Sequence, residues 1–473
     1  MERNTVSKYV VSTAKGQALP AYLIRKSRLA AWLSQQPPQV RKWVEQTGFK
    51  AQPGTCCLLP GTDGAITGVA AGVGETPDIW SIAGLPAMLP EGSWRLADKL
   101  AAKDATALSL GWALGTYEFT RYRKSRRSFA TLVMPPNADA DYVEAMAEIV
   151  FHIRDMVNTP TCDMLPSHFA AEAAKVARAH KAKMTQIVGE DLLARNYPLV
   201  YAVGKASADA PRLLDITWGN PKAPKVTLVG KGVCFDSGGL DIKSASNMKL
   251  MKKDMAGAAI MLGLGQMIMR LNLPVRLRML LPLVENAVSG NAMRPLDIIK
   301  SRKGITVEIG NTDAEGRLIL CDALAEADSE KPDLLLDCAT LTGAARVALG
   351  LEMPALFTPD DRLADAFARH SAAENDPLWR LPLWRGYRDM LNTPAADLSN
   401  DPDSSYAGAI TAALYLQEFV THTKSWAHLD MMAWNISSKP GRPQGAEAMA
   451  LRAALAVIRE RYGARKGKKA KRG

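Results

Sequence analysis

Between Asp139 and Val157 the chain reads DADYVEAMAEIVFHIRDMV, with apolar residues at helical spacing and acids in the first turn, where the helix dipole favours them. Asn158-Thr159-Pro160 is a stop signal for that helix. Before it, residues 1–135 mix short apolar runs, such as CCLLPGTDGAITGVAAGVG and FATLVMPP, with Gly and Pro turns. This is the pattern of a small α/β domain in which nothing looks catalytic. Beyond it strands and helices alternate. A helix is predicted near 167–182, an apolar run KVTLVG at 225–230, a buried helix at about 255–270 and a strand RLRMLLPLV at 276–284. A helix from about 317, a strand within DLLLDCAT (333–340) and a final helix near 446–461 complete the series. Such alternation predicts an α/β sheet covered on both faces. The expected division is an N-terminal α/β domain (1–138), a linking helix (139–157), a larger domain (158–462) and a basic, disordered tail (463–473).

Composition narrows the class. A chain of 473 residues exceeds what one core usually serves, and 47 % hydrophobic with 23 % charged residues marks a globular protein. The start, MERNTVSKYVVSTAKGQALP, has no apolar block of signal-peptide type, and the longest apolar stretch, Ala256 to Met269, is too short to span a bilayer. A cytoplasmic protein without membrane contact is expected. Cys56, Cys57, Cys162, Cys234, Cys321 and Cys338 form no C-x-x-C pair, which predicts reduced, buried thiols. Six histidines and no H-E-x-x-H mean that any metal is held mainly by oxygen. The net charge is +11, but the last eleven residues, GARKGKKAKRG, hold six Lys or Arg and no acid, so the rest carries only +5. That tail is either a solvated end or a contact for nucleic acid, and in the latter case the chain would be a DNA- or partner-binding protein.

Three acid-bearing segments fall at strand-to-helix junctions, where ligands gather in α/β sheets. Lys231 and Asp236 follow KVTLVG, Asp254 opens the buried helix DMAGAAIMLGLG, and Asp313 and Glu315 precede the helix around LILCDALAEA. Singly they are weak: Asp254 alone reads as an acid at a helix N-terminus. Lys231 between glycines fails the G-x-x-x-x-G-K-[ST] spacing, and Phe235 stands where G-x-G-x-x-G needs glycine, so nucleotide readings fall away. FDSGG (235–239) resembles the surroundings of a serine-protease nucleophile, yet the chain lacks the two-barrel pattern and a suitably placed histidine. Cys234 as a nucleophile fails for the same want of a histidine.

Together the segments resemble the leucyl aminopeptidases of the M17 type, cytosolic dinuclear metallopeptidases. The resemblance rests on VGKGVCFDSGGLDIK (229–243), MKKDMAGAA (251–259), NTDAEGRL (311–318) and DCATLTGA (337–344), in order and at the family's spacing. Weaker likeness covers GTYEFTRYRKS (115–125), VNTPTCDMLP (157–166) and HLDMMAW (428–434). Ala256, where a glycine is common, puts local helix packing in doubt, and Asp241, where a small residue is common, adds a negative charge near Lys243.

The resemblance implies a smaller N-terminal α/β domain and a larger C-terminal catalytic α/β domain with a central mixed sheet flanked by helices. It implies an aminopeptidase acting on peptides, with Leu or Met favoured first, and two divalent ions, Mn²⁺ or Zn²⁺. One ion would take Asp236, Asp313 and Glu315, and the other Lys231, Asp236, Asp254 and Glu315, with Asp236 and Glu315 bridging. Four carboxylates balance two divalent ions, but a lysine ligand must be neutral, which costs about 4.6 kcal/mol at pH 7 and leaves Lys231 as a charged acid partner open. Lys243 would stabilise the oxyanion and Arg317 would hold bicarbonate as general base; structural salt bridging is the competing account of each. Met251, Thr340, Leu341 and Gly343 would line the substrate, though Met251 also fits simple helix packing. A homohexamer is implied as well.

Overall fold

The structure is a computed structural model that describes residues 6–463 apart from Lys15, Arg126 and Asp403. The basic run from residue 464 onward, and with it the nucleic-acid reading, lies outside the described residues. The chain divides into two compact units, one up to His152 together with Asn435–Gly445, the other from Ile153 to Trp434 and from Ala446 onward. The dividing point falls inside the helix Ala140–Asn158.

The first unit holds a six-stranded sheet built from β1 (Val10–Val11), β2 (Leu19–Arg25), β3 (Cys56–Pro60), β4 (Ile66–Val73), β5 (Ser93–Leu96) and β6 (Thr131–Val133). Their order is β1-β6-β5-β2-β4-β3. The apolar run CCLLPGTDGAITGVAAGVG becomes the antiparallel pair of β3 and β4 around a glycine turn, and FATLVMPP supplies β6. Packing of Val40, Val44, Ala51, Leu59 and Ala70 forms a local core against this sheet.

The second unit is organised by β7 (Lys183–Val188), β8 (Arg212–Trp218), β9 (Lys225–Gly230), β10 (Gly232–Asp236) and β11 (Arg276–Asn286). A small separate sheet, β12 (Ile298–Lys300), β13 (Thr306–Glu308) and β17 (Leu398–Ser399), stands apart from it. The main sheet is completed by β14 (Leu334–Ala339), β15 (Ala355–Phe357), β16 (Trp379–Arg380) and β18 (Trp426–Asp430), in the order β16-β15-β18-β14-β9-β11-β8-β7 with β10 beside β11. Pairs β18–β14, β14–β9, β9–β11 and β10–β11 are parallel, whereas β15–β18, β11–β8 and β8–β7 are antiparallel, so the sheet is mixed. Every residue of β14 is buried, as expected of a strand covered on both faces.

The central parallel strands all end at one edge, and the residues that follow them are Lys231, Ser237, Ala287 and Thr340. Two glycines let a helix close on that edge. A Cβ on Gly230 would stand 2.5 Å from Ala258 Cα, and one on Gly257 would stand 2.2 Å from the Cys338 carbonyl oxygen. The helix Ala256–Arg270 therefore packs backbone to backbone against β9 and β14, and Ala258 N donates to the Lys231 carbonyl at 2.8 Å. Ala256 is fully buried at the start of this helix, and the close approach falls on Gly257 instead, so the packing doubt attached to Ala256 does not arise.

Two predictions on the elements are corrected. The last helix runs Leu451–Tyr462 and starts later than 446, because Asp376 collects the N–H groups of Ala450, Arg452 and Ala453 at 2.9, 2.9 and 3.2 Å. That acid lies far away in sequence, so only the fold reveals the cap. Among the six free cysteines four are buried, but Cys162 is exposed and Cys56 half-buried, contrary to the expectation of uniformly buried thiols.

Asp328, 2 % exposed at the end of the helix Glu315–Ser329, accepts from the backbone N–H of Thr421, His422 and Thr423 and meets His422 Nδ1 at 2.8 Å. Burial alone would raise its pKa, but these donors hold it at about 2, below the roughly 3.9 of an unfolded chain. A depressed carboxyl contributes fully above about pH 4, and the contribution is lost as pH falls toward 2. Asp328→Asn should lower stability at pH 7 by about 1–3 kcal/mol, with the gap from the parent closing between pH 4 and 2 in thermal melts. A gap that stays constant with pH would contradict this account.

Candidate metal centre

The sheet edge gathers all five side chains expected to hold metal. Lys231 follows β9, Asp236 ends β10, Asp313 stands in the loop before the helix Glu315–Ser329, and Glu315 is that helix's first residue. Carboxylate oxygens of Asp236, Asp313 and Glu315, one from each, lie within 4.8 Å of one another. Lys231 Nζ is 2.7 Å from Asp254 Oδ2 and 2.8 Å from Glu315 Oε1, and donates to the Thr340 carbonyl at 3.2 Å. A Cβ on residue 316 would stand 2.4 Å from Lys231 Cε, so glycine is what lets the lysine pass beside the first turn of the helix.

Asp254 does not cap the buried helix. It sits in the turn between the short 3-10 helix Met251–Lys253 and the helix Ala256–Arg270, and its Oδ1 takes the Thr340 hydroxyl at 2.6 Å while Oδ2 faces Lys231. The reading of this acid as a helix N-terminal charge is thereby corrected, because its carboxylate is turned inward to a lysine.

The electrostatics are severe. Lys231, Asp236, Asp254 and Glu315 are each 3 % exposed or less. Lys243 reaches the same cluster, 2.9 Å from Asp236 Oδ2 and in contact with Asp313. Four carboxylates thus face two ammonium groups, which leaves two negative charges without a paired cation. Burial, then repulsion from Asp236, pushes Glu315 well above the usual carboxylate range and Asp313 up to about 6. Lys231 moves up despite its burial, because Asp254, Glu315 and Asp236 surround it, while Asp254 moves down despite burial because of Lys231. Lys243 is likewise raised, with burial outweighed by Asp236 and Glu315. Asp254 Oδ2 and Glu315 Oε1 are buried, and each faces the Lys231 ammonium, at 2.7 and 2.8 Å. A buried pair of oxygens in that state, inside an excess of negative charge, suits divalent cations.

Further residues hold the ligands in place. Asn286, at the end of β11, donates to Asp236 Oδ1 at 2.8 Å and to the Thr312 carbonyl at 3.1 Å, and Gly238 N donates to the same Oδ1 at 2.9 Å. Asp241 accepts on its carboxylate from Thr312 N at 2.8 Å and donates its own N–H to the Thr312 hydroxyl oxygen at 2.8 Å. The added charge is therefore spent on stapling the 238–241 turn to the loop that carries Asp313. Asn400 accepts from Gly310 N at 2.7 Å and donates to the Asn311 carbonyl at 2.8 Å, anchoring the other end of that loop. Arg317, 6 % exposed, donates from Nη1 to the Asn400 carbonyl at 2.6 Å, and its buried Nε has no partner.

On the far side, Met251 is buried, and Thr340 is joined to both Asp254 and Lys231. Leu341 and Thr342 give their N–H groups to Asp430 Oδ1 at 2.9 and 3.1 Å, and the Thr342 hydroxyl reaches Oδ2 at 2.6 Å. Gly343 opens the helix Gly343–Leu349 at the surface. Asn286, Asn400 and Asp430 were not foreseen. Only Asp430 had any signal, lying within HLDMMAW; the asparagines have none, since an amide in a loop looks like any other.

Comparison with known proteins agrees with this geometry. The catalytic-domain model of the cytosol aminopeptidase family matches residues 151–455, and the M17 aminopeptidase N-terminal domain matches residues 19–135. A probable cytosol aminopeptidase of Corynebacterium glutamicum is 35 % identical over 90 % of this chain and 89 % of its own length. The crystal structure of a cytosol aminopeptidase from Coxiella burnetii superposes with a TM-score of 0.92 at 46 % identity, over 96 % of this chain and 99 % of that one. The bottromycin maturation enzyme BotP in complex with Mn gives a TM-score of 0.84 at 34 % identity, over 93 % of this chain and 99 % of BotP.

Because Asn286 orients Asp236 without belonging to the presumed ligand set, Asn286→Ala should fold and yet bind Mn²⁺ about 10–100-fold more weakly, as is usual when a supporting partner is lost. Calorimetric titration of the metal-free protein measures this, and an unchanged affinity would show that Asp236 needs no such support.

Proposed function

The chain belongs to the M17 cytosol aminopeptidase family, and from that premise we propose that Lys231, Asp236, Asp254, Asp313 and Glu315 hold two divalent ions, Mn²⁺ or Zn²⁺, for hydrolysis at peptide N-termini. The family is one of dinuclear metal-dependent exopeptidases, so peptides with a free amine are the substrates. The observation that carries the residue assignment is the excess of carboxylate over ammonium in the cluster, four acids against Lys231 and Lys243. When bound, the ions supply an activated water and polarise the scissile carbonyl.

The chain's own groups do the rest. Asp236 and Glu315 would both contribute to holding the ions; Oδ1 of Asp236 is already taken by Asn286 and Gly238, which leaves Oδ2 for that role. Lys231 would serve as a neutral amine ligand, its proton passing to solvent, while the Thr340 carbonyl accepts from it and the Thr340 hydroxyl fixes Asp254. Lys243, 2.9 Å from Asp236, is placed to donate to the oxyanion of the tetrahedral state. Arg317, whose buried Nε has no partner among the described residues, would hold bicarbonate, which would supply a general base. Met251, Thr340, Leu341 and Gly343 flank the first residue, and the apolar Met251 accepts side chains such as Leu and Met.

In this reading the chemistry lies within 158–462, with 1–138 and the helix 139–157 as supporting parts. Exposed apolar side chains such as Leu296 and Val347 support assembly, which we assign to a homohexamer. The relatives bear the name cytosol aminopeptidase, and no helix among the described residues is long and apolar enough to cross a membrane, which supports a cytoplasmic location.

Asp313→Ala should fold normally and lose turnover of Leu-p-nitroanilide by more than about 100-fold, beyond what a lost supporting partner causes. Metal-stripped parent enzyme should be inactive and regain turnover with Mn²⁺ or Zn²⁺, and N-acetylation of the substrate should block it. Full activity in Asp313→Ala, or cleavage of the acetylated substrate at the free rate, refutes the assignment.

A further inference from the structure

The loop that carries Asp313 closes around one buried side chain. Asn400 is fully buried and directly follows β17, where its N–H donates to the Glu308 carbonyl of β13 at 3.0 Å. Its Oδ1 accepts from Gly310 N at 2.7 Å and from Asn311 N at 3.2 Å. Its Nδ2 donates to the Asn311 carbonyl at 2.8 Å and to the Ala314 carbonyl at 3.2 Å. A carboxamide offers two lone pairs and two N–H groups, and here all four are used. They bind both ends of the loop 310–314, so the amide sets how far apart those ends stand. Asp313 and Glu315 flank Ala314, whose carbonyl the amide holds.

The same residue holds Arg317 through its main chain. The Asn400 carbonyl accepts from Arg317 Nη1 at 2.6 Å, while the buried Nε of that arginine has no partner among the described residues. Residue 400 is itself closely held. Ser399 pairs with Glu308, and a Cβ on Gly310 would stand 2.9 Å from Ser399 Oγ, so the segments 398–400 and 307–310 lie in direct contact. Closure of a turn accounts for the amide bonds but not for the arginine, which the carbonyl places in the same frame as Asp313. Loss of the amide leaves buried backbone groups of the loop without partners and lets 310–314 relax. A displacement of about 1 Å at a reacting group costs up to about 100-fold in rate.

We infer that Asn400 is a positioning residue that fixes the spacing of Asp313 and Glu315 relative to Arg317, so that its loss weakens metal binding and turnover through one displacement. The inference rests on the aminopeptidase reading above and adds to it a residue outside the presumed ligand set. Asn400→Asp is the discriminating substitution. It keeps the size and the acceptor of the amide but turns an oxygen toward the Asn311 and Ala314 carbonyls, repelling them where the amide donates.

The test uses the full-length protein. In calorimetric titration of the metal-free form, Asn400→Ala and Asn400→Asp should each bind Mn²⁺ about 10–100-fold more weakly than the parent, the usual result of losing a partner that orients ligands. With Mn²⁺ saturating, Asn400→Ala should lower kcat on Leu-p-nitroanilide about ten-fold or more and leave KM within about two-fold, the split expected when transition-state geometry is what suffers. In an Arg317→Ala background the same substitution should cost less than about three-fold, because the two residues act as a unit. Parental Mn²⁺ affinity in both variants, or kcat losses of Asn400→Ala and Arg317→Ala that multiply independently, overturns the inference. So does a lower melting temperature accompanied by parental affinity and kcat, the signature of a role in packing alone. If Asn400→Ala does not fold, Asn400→Asp carries the same measurements. If the parent cleaves no free-amine substrate, the aminopeptidase reading is what fails, and the Mn²⁺ titration alone decides the inference.

Discussion

Four carboxylates and two ammonium groups, withdrawn from water at the ends of parallel strands, do not balance, and much of the catalytic unit serves to hold that imbalance together. An unpaired buried charge is normally neutralised by a pKa shift or expelled to the surface. Here the first response is visible in Glu315 and Asp313, both pushed upward by burial and by Asp236. The second is blocked for three of the four, which are fixed by neighbours that do not move with them: Asn286 and Gly238 on Asp236, Thr340 on Asp254, and the start of a buried helix under Glu315. The strain of crowding is thus stored in the metal-free protein and relieved by divalent cations, a direct route from packing to affinity.

The sheet makes such crowding feasible. Parallel strands deliver several chain segments to one edge while their buried bodies supply the core energy, so the edge itself is spared packing duty. Gly230 and Gly257 allow the covering helix to approach so closely that Lys231 is tied to both neighbours, its N–H to the Cys338 carbonyl and its carbonyl to Ala258 N. A larger residue at either glycine would move the helix away from the strands and open the cluster that follows them. Gly316 plays the corresponding part for the lysine side chain.

How much of this was legible in the sequence depends on the reach of each cause. The buried strands β9, β11 and β14 and the helix Ala256–Arg270 follow from local apolar patterning and lie within a few residues of their predicted positions. The strand β10 did not emerge, because GVCFD is short and its partner β11 follows only after a helix; Asp236 therefore ends a strand and does not float in a loop. The pairing of β1 with β6 joins segments at opposite ends of the first unit, a register set by the completed sheet and by no local signal. At the site, the expected ligands stand in motifs that can be read locally, whereas Asn286, Asn400 and Asp430 were not foreseen. Each acts through a partner far along the chain, and its residue type has many bland uses.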